Sequence, residues 1–190
     1  MKNIQNFFRQ LPYLLTYSRL VIALYFLFLA ALKPLQNPLS IALFLILAVL
    51  TDIFDGVLAR KFKLYSVKLR KLDSRVDTLL WFSLLLVVMA IYPAFVKAHM
   101  TQILLLVASE CAVQALGFFK FGTSNALHTY AAKAWMVLLT LTILLLCAGE
   151  SGRIIFNVTF VWGLLVQLEA AIIILRLKAY RVDVKSIFHI

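Results

Sequence analysis

TDIFDGVLAR (residues 51–60), KFKLYSVK (61–68) and LRKLDSRVDTL (69–79) form one continuous stretch from which the rest of the chain can be read. The chain has eight acidic residues, and four of them, Asp52, Asp55, Asp73 and Asp77, lie here. Asp52 and Asp55 are three apart and Asp73 and Asp77 four apart, so each pair projects from one face of a helix. The first pair ends an apolar run, Ile41 to Leu50, and the second opens another, Leu79 to Met89. Carboxylates at the end of a membrane helix are costly, and four brought together without partners repel one another. No base is read as pairing with them, so a cation must neutralise them. Hard oxygen ligands suit magnesium or manganese, and a shared site of this kind can hold two ions.

Working outward, the 190 residues are 64% hydrophobic and only 14% charged, whereas a soluble domain carries about a quarter of its residues charged. The composition excludes an ordinary soluble domain and predicts one membrane domain over residues 1–190. A net charge of +11 would suit nucleic acid, but the bases sit in short segments between apolar runs, which is the pattern of membrane topology. No nucleic-acid partner is expected. Cys111 and Cys147 both fall inside apolar runs, so a disulfide framework is not expected either.

The expected fold is an all-α integral membrane protein with six spans. Residues 1–10, with Lys2, Arg9, Phe7 and Phe8, read as a short amphipathic lead-in along the membrane surface. The spans follow at Leu11 to Leu32, Leu39 to Ala59, the second Asp pair to Phe95, Ile103 to Phe119, Tyr130 to Ala148, and Ile154 to Leu177. A basic connector, Arg60 to Lys71, joins the second and third. The first span carries Arg19, and a base within a span implies an anionic partner. His99, His128 and His189 are isolated and show no metal-ligand spacing.

Six spans put both termini on one side. On that side lie Lys2, Arg9, the seven bases from Arg60 to Arg75, Lys120, Lys133, Arg176, Lys178, Arg181 and Lys185. The other side holds Lys33, Lys97 and Arg153. Fifteen against three places the termini and the acid cluster in the cytoplasm, and a bacterial inner membrane is the expected location.

The acid stretch resembles the signature D-x2-D-G-x2-A-R-x8-G-x3-D-x3-D of the CDP-alcohol phosphatidyltransferases. Asp52, Asp55, Gly56, Ala59, Arg60, Asp73 and Asp77 match at the right spacing, and Leu69 stands where the second glycine is expected. The segment PYLLTYSR (12–19) is similar to the family's P-N-x-x-T-x-x-R opening, with Thr16 and Arg19 matching and Tyr13 in place of the asparagine. The resemblance implies a magnesium- or manganese-dependent transferase that moves a phosphatidyl group from CDP-activated lipid to an alcohol and releases CMP. It implies metal ligation by Asp52, Asp55, Asp73 and Asp77, with Asp77 also the general base. Thr16, Arg19, Gly56, Ala59, Arg60 and Ser66 are implied on the CDP-lipid, and a homodimer is implied as the assembly.

The acceptor stays open. The wording of the motif resembles the glycerophosphate branch, which would make glycerol 3-phosphate the acceptor. That branch carries an Arg-Glu pair and a second Arg in its fourth span, where this chain has Ser109 and Glu110. Lys133, and after it Lys120, is the base left for an acceptor phosphate. A non-phosphorylated or zwitterionic alcohol, or a choline- or ethanolamine-type transfer, is the alternative. Two further readings are a small transporter, with Arg19, Glu110 and Glu169 along an ion path, and an inactive relative, for which Leu69 is the sign. Against a transporter, the chain has no internal repeat and no pair of broken spans.

Overall fold

In the computed structural model the backbone is described for residues 2–32, 37–61, 67–150 and 152–189, and the side chains of these except 2–10, 59–61 and 189. Seven α-helices follow one another: α1 (Lys2–Ala31), α2 (Pro38–Lys61), α3 (Val67–Ile91), α4 (Pro93–Ala98), α5 (Met100–Phe121), α6 (Tyr130–Cys147) and α7 (Arg153–Arg176). A 3₁₀ turn, Ile187–His189, ends the chain, and no strand occurs among the described residues. All but α4 are long and apolar enough to cross a membrane. The protein is an integral membrane protein of the expected all-α class. Large apolar side chains such as Leu39 and Ile154 lie 74% and 79% exposed, as lipid permits and water would not.

Several boundaries differ from the sequence reading. The lead-in and the first span are one continuous helix, α1, with Pro12 inside it. The third span begins six residues before Asp73 and stops at Ile91 rather than Phe95. Pro93 explains the stop. It lacks an N–H and disfavours helical geometry at Tyr92, whose backbone sits at φ −117° and ψ 55°. The basic connector also shrinks, because Lys68, Arg70 and Lys71 already belong to α3.

The chain divides into two compact units, Met1–Ile91 and Tyr92–Ile190. In the first, α1 packs on both α2 and α3. Each helix contributes one stripe at helical spacing. On α1 it is Pro12, Thr16, Arg19, Ile22, Ala23, Phe26 and Leu29. On α2 it is Ile41, Leu45, Ala48 and Asp55, and on α3 it is Leu69, Asp73, Val76, Leu80, Leu84 and Val87. These are the i, i+3, i+4, i+7 positions that one helix face presents to its neighbours. Polar residues of each stripe thus continue the line of an apolar face. Away from them, Tyr25 of α1 stacks on Phe44 of α2 with ring centroids 4.4 Å apart.

In the second unit, α5 and α6 both pack on α7. Polar bonds join them. Trp135 Nε1 donates to the carbonyl of Thr159 at 3.1 Å, Thr142 and Thr159 hydroxyls meet at 3.1 Å, and Gln167 donates to Glu110 at 2.6 Å. Gly122 ends α5 in the left-handed conformation (φ 67°), and Thr129 caps α6 by accepting from the N–H of Ala132 at 3.1 Å. The tail returns to this end. Tyr130 N–H donates to the Lys185 carbonyl and Asp183 N–H to the Ala126 carbonyl, both at 3.0 Å. Ile173, Leu177 and Val184 pack beneath.

Gly163 of α7 sits where a Cβ would lie 2.7 Å from both Leu106 Cδ2 and Trp135 Nε1. The Leu106 methyl can move, but the indole is held by its hydrogen bond to Thr159. Gly163→Val therefore overpacks the contact, at a cost of about 1–3 kcal/mol. Its thermal unfolding in detergent is expected several degrees below that of the parent; an unchanged melting temperature would contradict this packing.

Candidate metal and donor site

α2 enters the site at its C-terminal end, α3 leaves it at its N-terminal end, and α1 crosses both. Arg19 of α1 holds the two Asp pairs together, and helical spacing turns each pair toward α1. Arg19 is fully buried at the point of convergence. Its Nη1 donates to Asp52 at 3.0 Å and to Asp77, and its Nη2 donates to Asp55 at 3.2 Å and to Asp73. Four acids thus share one guanidinium, whose planar fork is suited to several carboxylates at once. Arg70 adds a second base, 3.7 Å from Asp73.

The expectation of acids without a paired base is corrected by this geometry. Arg19 is the partner of all four, and its own anionic partner is the carboxylate cluster. The Arg70 contact was legible, since Arg70 and Asp73 are three apart on one helix. The Arg19 contact was not, because it joins residues 33 to 58 positions apart.

The donor set fits a hard divalent cation. One carboxylate oxygen from each of Asp52, Asp73 and Asp77 lies within 4.8 Å of the other two. Carboxylates are the ligands magnesium and manganese prefer. Asp55 lies outside that trio. Arg19 and Arg70 bring two positive charges to four carboxylates, so a divalent ion would complete the balance. Exposure divides the acids: the side chains of Asp52 and Asp77 are 29% and 26% exposed, those of Asp55 and Asp73 only 4% and 3%.

The sequence profile of the family described as CDP-alcohol phosphatidyltransferase matches residues 9–176. The chain belongs to that family. No curated protein and no solved structure matches it. Membership makes this chain a phosphatidyltransferase of phospholipid synthesis, taking a CDP-lipid donor and an alcohol acceptor.

The remaining residues singled out by sequence fall in different places. Thr16 is buried one turn before Arg19, and its hydroxyl donates to the Pro12 carbonyl at 3.0 Å, leaving its lone pairs as acceptors. Gly56 follows Asp55 in α2 and is half-buried. Ala59 and Arg60 lie in the last turns of α2 with side chains outside the described set, and Ser66 lies outside the described residues altogether. Lys133 belongs to the second unit, in the first turn of α6, and is exposed. Glu110 and Glu169, candidates for an ion path, are each engaged locally. Glu110 accepts from Gln114 at 2.8 Å and from Gln167, and Glu169 accepts from the Ile187 N–H at 3.2 Å.

Leu69, the departure from the motif, is 5% exposed and lies on the same stripe as Asp73, one turn earlier. The extra bulk is core. Leu69→Gly would remove a buried side chain, costing about 2–5 kcal/mol by analogy with Leu→Ala, and would add about 1 kcal/mol for a glycine in a helix. Restoring the motif glycine is therefore expected to lower thermal stability in detergent. A variant as stable as the parent would show that Leu69 is not a packing residue.

Proposed function

We propose that this enzyme transfers the phosphatidyl group of CDP-diacylglycerol to an alcohol and releases CMP, using magnesium or manganese held by Asp52, Asp73 and Asp77 with Asp55 beside them. The observation that supports it most directly is the convergence of all four motif acids, from two helices, on one spot in the first unit. Four carboxylates could share two ions, as the family resemblance implies. Bound metal would neutralise the donor's pyrophosphate and ease the departure of CMP.

The chain's own groups divide the remaining work. Asp77, among the more exposed of the acids, accepts the proton of the attacking hydroxyl. The alcohol oxygen then bonds to the phosphatidyl phosphorus as the bond from that phosphorus to the CMP oxygen breaks. Gly56 and Ala59 leave space for the donor along α2, and Arg60, Ser66, Thr16 and Arg19 contribute polar contacts to it. By the charge bias, the cluster and both termini face the cytoplasm of a bacterial inner membrane. A homodimer is the assembly that the family resemblance supports.

For the acceptor, the motif wording favours glycerol 3-phosphate, with Lys133 as the base for its phosphate. One observation favours an uncharged or zwitterionic alcohol instead. Lys120 donates to the carbonyls of Ile174 and Leu175 at 2.9 and 2.8 Å, so it serves as a cap for α7. A single lysine cannot grip a phosphate dianion bidentately. Acceptors offered one at a time, with lipid products identified by mass, separate the two: serine, choline or inositol on one side, glycerol 3-phosphate and inositol phosphate on the other. Use of glycerol 3-phosphate that survives Lys133→Ala would remove Lys133 from the site.

Chelation is expected to abolish CMP release. Asp73→Asn should lose metal binding and about 10²-fold or more in rate, the scale of one electrostatic or acid–base group. Asp77→Asn should lose turnover by a similar factor while CDP-diacylglycerol still binds. Near-parental CMP release by Asp73→Asn at saturating substrate would refute the assignment.

A further inference from the structure

Arg19 does more in this geometry than a donor-binding residue needs to do. Its four terminal N–H groups are divided among four different acids, two on α2 and two on α3. Three of those acids, Asp52, Asp73 and Asp77, are the ones whose oxygens converge as a cation site. A guanidinium and a divalent ion would therefore be drawn to the same carboxylates, within a few ångströms and away from bulk water. Like charges repel strongly in such a setting. The two cannot both hold full contact with the cluster.

The fifth donor of the same side chain supplies the second observation. Arg19 Nε is buried and makes no hydrogen bond. A buried N–H without an acceptor is costly, so a phosphate oxygen brought near it is favoured. Arg70, half-buried and 3.7 Å from Asp73, lies at the side of the cluster.

We propose that Arg19 is an internal counter-ion, which the divalent cation displaces from part of the carboxylate cluster and whose freed guanidinium then takes the donor's pyrophosphate. The inference rests on the metal-dependent transfer set out above. It makes Arg19 a positioning residue with two alternating partners. When no cation is bound, it holds two helices together that would otherwise repel. When cation and donor are both bound, each removes the penalty of the other's entry. Metal and CDP-lipid should then bind cooperatively, each raising the other's affinity by the same factor.

The test uses the full-length protein in detergent and measures free Mn²⁺ by its electron paramagnetic resonance signal, with and without CDP-diacylglycerol. For the parent, donor is expected to tighten Mn²⁺ binding by about tenfold or more, within the usual range of coupled sites. Arg19→Gln removes the competitor. It should bind Mn²⁺ about tenfold more tightly than the parent when no donor is present, and donor should then change that affinity little. Arg19→Lys, one point charge that cannot span four acids, should fall between the two.

A merely structural role predicts the opposite sign, since a collapsed cluster binds metal more weakly. Unchanged or weaker Mn²⁺ binding by Arg19→Gln overturns the proposal. If that variant unfolds without metal, Arg19→Lys carries the same comparison, and Mn²⁺ affinity at or below the parental value overturns it equally. Failure of the underlying reading looks different: the parent would bind no Mn²⁺ under either condition, or release CMP in the presence of chelator.

Discussion

One guanidinium among four carboxylates is the constraint on which the first unit depends. Two acids arrive at the end of α2 and two at the start of α3, so the charges accumulate where α1 meets both helices. Left alone, they would drive those ends apart. Arg19, fully buried on the crossing helix, reverses the sign of that interaction and ties three helices to one point. A buried charge is costly unless paired and hydrogen-bonded, and here the pairing is shared among five side chains. Apolar stripes flank it, Ile22 to Leu29 on α1 and Val76 to Val87 on α3.

The second unit is held by another kind of force. Its interior contacts are neutral or singly charged: Trp135 on a backbone carbonyl, Thr142 on Thr159, and Glu110 between two glutamines. Such bonds join membrane helices at modest gain each, and the small Gly163 leaves room for the Leu106 and Trp135 side chains. Its one cap of a span by a lysine, Lys120 on the end of α7, quiets carbonyls that a helix leaves unsatisfied. Among the described residues the concentration of charge that chemistry requires lies in the first unit. Arg19 is taken up by the four acids, Glu110 by two glutamines, and Glu169 accepts from the Ile187 N–H.

Much of this was legible in the sequence because it is local. Six apolar runs gave six spans, and the spacing of Asp52 with Asp55 and of Asp73 with Asp77 placed each pair on a helix face. Boundaries were read less well. Helices begin and end by backbone chemistry as well as by hydropathy, and α3 runs from Val67 to a stop set by Pro93. What spacing could not give was the partner of the cluster. Arg19 was visible as a base within a span, with an anion as its expected partner, yet nothing local tied it to acids more than thirty residues away. Leu69 looked like a defect in a motif. Only the three-dimensional stripe shows it as a core position that continues into Asp73.

Exposure is unevenly distributed within the cluster. Asp55 and Asp73 lie nearest the link between α2 and α3, where water would be expected to reach them, yet they are the buried pair. Asp52 and Asp77 lie one turn further along their spans and are the half-open pair. Within each pair the more exposed acid is thus the one further from the link. For a soluble substrate that arrangement would be a handicap. A CDP-lipid carries its pyrophosphate at the boundary between a polar nucleotide and two acyl chains. Acids exposed one turn into their spans can meet that boundary while the chains stay in the bilayer, which is the physical sense in placing carboxylates so far into a helix that must also cross lipid.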